Sequence, residues 1–181
     1  MNNLCADIGY KSINHDGEQL CGDHVDIVES GEDSTVIVLA DGLGSGVKAS
    51  ILSTLTSKII SKMMSEGLSI TDCVETIAKT LPICSVRGVA YSTFTIMHLV
   101  ENREMELIQY DNPLTILIRD GENFLYPMTE MNIDGKKIYH SMIKLQEGDV
   151  FVTMSDGCPH AGIGLAYNFG WKRDEIIQYM K

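Results

Sequence analysis

Val36-Ile37-Val38-Leu39-Ala40-Asp41-Gly42-Leu43-Gly44-Ser45-Gly46-Val47-Lys48 is the stretch on which the fold turns. Its β-branched, apolar first half has the composition of a buried strand. The strand stops on a carboxylate and a glycine, which places an acid at a sheet rim where backbone and solvent can help it hold a cation. Past the glycines the period changes. Ile51, Leu52, Leu55, Ile59 and Met63 recur every three or four residues, so an amphipathic helix is predicted from Val47 to Met64, ended by Gly67. A second run, Val150-Phe151-Val152-Thr153-Met154-Ser155-Asp156-Gly157, closes in the same way.

Working outward, Ala6–Ile13, His24–Glu29 and Ser34–Ala40 read as strands separated by polar turns. A second helix is predicted from Ile70 to Pro82, on the spacing of Ile70, Val74, Ile77, Ala78 and Leu81. Strands follow at Ala90–Val100, Glu104–Tyr110, Leu114–Arg119 and Asn123–Pro127, the last two joined by the hairpin signal Asp120-Gly121. Ser141–Leu145 and Val150–Met154 are further strands, and a helix begins at Lys172. Because the helices come as a consecutive pair and do not alternate with strands, the fold class is α+β. Two packed, mainly antiparallel sheets with the helix pair on an outer face would bury this content.

The 181 residues, 44% hydrophobic and 22% charged, suit one well-buried domain. Fourteen basic against 25 acidic residues give a net charge of −11, which disfavours nucleic acid and anionic membrane as partners. The start has no basic and apolar leader pattern, and no run of about 18 apolar residues occurs, so a cytoplasmic protein is expected. Cys5, Cys21, Cys73, Cys84 and Cys158 form no C-x-x-C pair, and the five histidines have no zinc-hydrolase spacing.

A glycine-rich turn between strand and helix can present N–H groups to a phosphate, so a nucleotide loop is one reading of 41–48. Its spacing, G-x-G-x-G, matches neither the dinucleotide nor the P-loop pattern. Asp41 at its mouth would repel a phosphate dianion unless divalent cations lay between them. Asp156 has the same strand-end setting, and Asp23, in Cys21-Gly22-Asp23, borders another strand. Three hard-oxygen donors would suit Mg²⁺ or Mn²⁺ better than zinc. Each Asp-Gly taken alone is better explained by turn propensity, since Asp and Gly are favoured turn residues.

Taken in order, Gly22-Asp23, Asp41-Gly-x-Gly-x-Gly before a helix, and Ser155-Asp156-Gly157 resemble the PPM metal-dependent protein serine/threonine phosphatases, the type 2C fold, and within them the SpoIIE-like bacterial branch. Tyr91–Ile96, Gln109–Gly121 and Leu145–Gly157 extend the resemblance over about residues 20 to 160. It implies an α-β-β-α sandwich in which Asp41 bridges two Mn²⁺ or Mg²⁺ ions, Gly42 offers its carbonyl to one, Asp156 binds the other and Asp23 completes the set. The implied catalytic residues are Asp23, Asp41 and Asp156, acting on a phosphorylated protein such as an anti-sigma-factor antagonist in sporulation or stress signalling. Two departures stand out. The family's further metal aspartate, near its C-terminus, has no counterpart up to Lys181, since Asp174 sits at a helix start. This suggests a domain lacking its last strands, or a weakly held second metal. Asp111-Asn112 stands where SpoIIE-like relatives have a small residue, glycine and histidine before proline. A phosphatase-fold binding module with weakened catalysis is therefore an alternative.

Overall fold

The computed structural model describes residues 4–14, 16–31, 33–80, 92–133, 135–164 and 166–181. Nine strands and three helices form among them, in the order β1 (Asp23–Glu29), β2 (Thr35–Gly42), α1 (Gly46–Ser65), α2 (Ile70–Thr80), β3 (Ser92–Val100), β4 (Glu104–Tyr110), β5 (Ile116–Arg119), β6 (Glu122–Asn123), β7 (Thr129–Ile133), β8 (Lys136–Lys144), β9 (Val150–Val152) and α3 (Arg173–Met180). The strands make a six-stranded sheet, β1-β2-β3-β4-β8-β7, and a three-stranded sheet, β6-β5-β9, every ladder of which is antiparallel.

Period-two alternation sorts the side chains into layers. Val36, Val38, Ala40, Phe94, Ile96, Ile108 and Ile138 leave one face of the large sheet and meet Ile60 and Met64 of α1 and Val74 and Ile77 of α2. Met97, Leu99, Met105, Leu107 and Ile143 leave the other face and pack on Leu117 and Phe151 of the small sheet. The far face of the small sheet, Ile116 and Ile118, is covered by Ile176 and Ile177 of α3. Helices, sheet, sheet and helix therefore stack as the expected α-β-β-α sandwich. Trp171 packs within the last of these layers, as a helix-packing tryptophan should.

The α1 helix forms where expected but turns a different face inward. Val47, Ile51 and Leu55 are 62%, 54% and 46% exposed, whereas Ser53, Thr56, Ser57 and Ser61 are buried beside Ala49, Leu52, Ile60 and Met64. Small side chains let the helix lie close on β1 and β2, and their hydroxyls find acceptors. Thr56 Oγ1 donates to the Leu52 carbonyl at 2.8 Å and Ser57 Oγ to the Thr54 carbonyl at 3.1 Å, while Ser61 donates to the buried Asp26. Lys58 Nζ closes on the same carboxylate at 2.5 Å. A hydroxyl satisfied within the helix costs little on burial, so the polar face can be the inner one.

Other boundaries shift for identifiable reasons. Residues 6–13 join no strand among the described residues, and Ile8, Tyr10 and Ile13 are exposed, because alternation makes a strand only where a sheet edge accepts it. The predicted strand at 123–127 shrinks to Glu122–Asn123, its turn held by positive φ at Asp120 (53°) and Gly121 (75°) as a hairpin requires. Strand β7 is additional, and β8 begins five residues before the expected Ser141, since the hairpin at Gly135 pairs Thr129–Ile133 with Lys136–His140. The predicted end of α2 at Pro82, residues 90 and 91 of the following strand, and Cys84 lie outside the described residues.

On the helix-facing side of the large sheet, Glu106 bridges two strands by accepting from His98 Nδ1 at 3.1 Å and His140 Nε2 at 3.0 Å. The His98 contact, then that of His140, holds the carboxyl below its ordinary 4.5 against the opposing effect of burial. A depressed carboxyl stabilises the fold above its unfolded value and loses that contribution as pH falls through the folded one. Glu106→Ala is therefore expected to cost about 1–3 kcal/mol at pH 7. The deficit should shrink in acid, read by urea denaturation at pH 7 and pH 4.

Candidate metal centre

The antiparallel register of β1, β2 and β3 sets three residues in a row across the end of the large sheet: Asp23 opposite Asp41, and Asp41 opposite Thr93. Directly opposed side chains share a face with Cβ atoms about 4.5–5.5 Å apart, so Asp23 and Asp41 stand together on the side of Ile37, toward the small sheet. The third acid arrives from that sheet. Beyond β9 the chain turns at Ser155-Asp156-Gly157, and Ser155 Oγ donates to Asp23 Oδ2 at 2.7 Å, tying the two sheet ends together. Asp156 stands 66% exposed, with His160 Nδ1 4.0 Å away.

Asp41 registers all of this. Its carboxyl is pushed up to about 7 from an ordinary 3.8, first by burial, then by the negative charges of Asp23 and Asp156, with both carboxylates also able to share its proton. Residues 23, 41 and 156, far apart in sequence, thus come close enough for two of these acids to act on the charge of the third. Among the described residues no three His, Cys, Asp or Glu side chains close into a finished ligand cage. The donor set is entirely hard oxygen, with no lysine or arginine among the causes of the Asp41 shift, and that set fits Mg²⁺ or Mn²⁺.

The neighbouring backbone is fixed as tightly. Gly42 N donates to the Gly22 carbonyl at 3.1 Å, and Ser92 Oγ donates to the Asp41 carbonyl at 2.9 Å. A Cβ on Gly42 would lie 2.0 Å from the Ala49 carbonyl oxygen, so only glycine lets α1 pass this close. Asn112, buried, links the next strand residues: its Oδ1 accepts from Thr93 Oγ1 at 2.5 Å and its Nδ2 donates to Thr95 Oγ1 at 3.2 Å. This gives the departure at Asp111-Asn112 a physical role, as a clasp on the strand beside Asp41.

The mouth of the glycine loop holds a carboxylate already. Ser45 Oγ donates to Glu18 Oε1 at 3.0 Å, and Glu18 Oε2 would lie 2.8 Å from a Cβ on Gly46. An anion of the chain itself sits where the nucleotide reading would place a phosphate, which counts against that reading. His24 Nδ1 meets Ser57 Oγ at 2.8 Å, tying strand to helix. Cys158 and His160 are exposed in the turn after Asp156. Asp174 is exposed in the first turn of α3, where Glu175 accepts from the Lys172 N–H at 2.9 Å, so it belongs to the helix start. The sequence assigns no role to Ser155 or Thr93 and shows Asn112 only as a departure from the family pattern. The serine in Ser155-Asp156-Gly157 was the available signal, whereas the other two need the strand register.

Layer order and the acids at the sheet ends define a protein with the PPM, or type 2C, phosphatase fold. The chain belongs to the Stage II sporulation protein E (SpoIIE) family, whose sequence profile matches residues 31–176. The phosphatase domain of SpoIIE from Bacillus subtilis, solved with a fragment of its regulatory domain, superposes with a TM-score of 0.76 at 18% identity, over 94% of this chain and 50% of that one. The RsbU and RsbW domains of Rv1364c from Mycobacterium tuberculosis give 0.68 at 19%, over 87% and 44%. RsbX in complex with magnesium gives 0.59 at 23%, over 82% and 72%. The chain thus spans about half the length of the first two. No curated protein sequence matches it. Among the described residues no helix is long and apolar enough to cross a membrane.

Proposed function

We propose that the chain is a metal-dependent phosphoprotein phosphatase, hydrolysing phosphoserine or phosphothreonine on a bacterial signalling protein such as an anti-sigma-factor antagonist. The observation that carries this reading is the meeting of remote segments at one sheet end, with Asp23 opposite Asp41 and the Ser155-Asp156 turn tied to Asp23 at 2.7 Å, where burial and the neighbouring acids push the Asp41 carboxyl up to about 7. Such a group is costly to keep ionised alone and is relieved by cations. Asp41 would bridge two ions, the Gly42 carbonyl would serve one and Asp156 the other, with Asp23 oriented by Ser155 at 2.7 Å. Bound ions of this kind neutralise phosphoryl oxygens and lower the pKa of water for in-line attack. The chain's own part is to hold the carboxylates rigidly at two sheet ends and to leave Asp156 open to an entering phosphoprotein. RsbX, solved with magnesium, supports the choice of ion.

Hydrolysis of p-nitrophenyl phosphate tests this. Turnover with Mn²⁺ that disappears with chelator and returns on adding Mn²⁺ is expected. Absence of metal-dependent turnover on both the aryl phosphate and phosphoserine peptides would leave the phosphatase-fold binding module as the better reading.

A further inference from the structure

A cleft of about 580 Å³ opens beside Asp156 and reaches the β7–β8 turn. That volume lies within the roughly 300–1,000 Å³ of ligand clefts. It is lined by Asp156 and His160 of the turn after β9, by the segment from Gln109 to Leu114, and by Lys136, Lys137 and Tyr139 of β8. We infer that this cleft seats the peptide flanking the phosphorylated residue, and that Lys136 and Lys137 select substrates carrying acidic residues there. The inference rests on the phosphatase reading and adds to it a substrate class.

Charge is the first argument. The chain carries a net charge of −11, and the acids of this cleft, Asp111 and Asp156, lie toward the metal centre, so the two consecutive lysines at its other end are the cations that a carboxylate flanking the phosphorylated residue would meet there. Placement is the second. Lys137 and Tyr139 lie two apart on β8 and so share a face, and the Lys137 ammonium sits 5.3 Å from the Tyr139 ring centroid. Tyr139 is paired with Gln109, so Lys137 stands about 7 Å further along β8. Availability is the third. Lys137 pairs with Glu130 at 2.7 Å, but both side chains are 55% exposed, and an ion pair so open to water exchanges readily for a substrate carboxylate.

The test compares kcat/KM for phosphoserine peptides with neutral flanks and with paired aspartates on either side, in Mn²⁺. Wild type should favour an acidic peptide roughly fivefold, expressed in KM, and the preference should shrink in 0.5 M salt. Lys136→Ala with Lys137→Ala should bring the ratio to about one, Lys137→Glu should invert it, and Lys137→Arg should keep it. The ratio is the readout, so a general loss of activity does not obscure it. Equal rates on both peptides in a wild type that hydrolyses the aryl phosphate would overturn this inference alone, as would a preference that survives the double substitution. No hydrolysis of any substrate would remove the phosphatase reading and the inference with it.

Discussion

Asp41→Asn should abolish Mn²⁺-dependent hydrolysis, lowering kcat by at least roughly a hundredfold to a thousandfold, because it removes the carboxylate proposed above to hold the ions. In metal-free protein the same substitution should stabilise the fold. The Asp41 carboxyl is pushed up to about 7 when folded against an ordinary 3.8, so between those values the folded chain keeps a proton the unfolded chain has released. Stability therefore falls as pH rises through that window. Asparagine cannot ionise and escapes the loss, worth about 1–2 kcal/mol above pH 7 once solvent on the open side has screened the charges. Thermal melts at pH 5 and pH 8, with and without Mn²⁺, read this directly. Wild type should gain more from Mn²⁺ at pH 8 than at pH 5, and the variant should gain little at either. Equal Mn²⁺ stabilisation of variant and wild type would show that the ion binds elsewhere.

Gly42→Ala should be severely damaging for a single methyl, with a loss of about 3 kcal/mol or more. The added carbon would lie 2.0 Å from the Ala49 carbonyl oxygen, 2.7 Å from its carbonyl carbon and 2.9 Å from its Cα, all backbone of α1. A helix cannot step aside as a flexible side chain can, and Ala49 is itself fully buried. Gly157→Ala is the matched comparison, because the nearest atom to its Cβ would be Ser155 Oγ at an ordinary 3.7 Å. Urea denaturation should leave Gly157→Ala close to wild type and shift Gly42→Ala strongly. Similar midpoints for the two variants would mean that α1 does not rest on Gly42 as described.

That contrast marks how far the residues speak for themselves. Both Asp-Gly pairs are equally visible as strings, and their strand-end setting follows from the apolar runs before them. Which glycine is sterically obligatory depends on the approach of α1, a tertiary fact. Periodicity located α1 but not its inner face, because Ser53, Thr56, Ser57 and Ser61 are buried with hydroxyls satisfied locally or by Asp26. Hydrophobicity alone would have turned Ile51 and Leu55 inward. Strand β7 escaped notice since its Thr129-Glu130-Met131-Asn132-Ile133 is mostly polar, as suits the outer strand of the sheet. The acids were legible because their order along the chain, and not any single Asp-Gly, matches a family pattern. Ser155, Thr93 and Asn112 were not, because common polar residues acquire meaning only from cross-strand register and from the meeting of two sheets.

Convergence of Asp23, Asp41 and Asp156 on divalent cations is best tested by anomalous diffraction from crystals grown with Mn²⁺. Two peaks are expected, roughly 3.5–4 Å apart, with Asp41 carboxylate oxygens about 2 Å from both and Asp156 on one. Peaks absent from this sheet end, or a single peak that touches Asp156 and leaves Asp41 without metal, would contradict it.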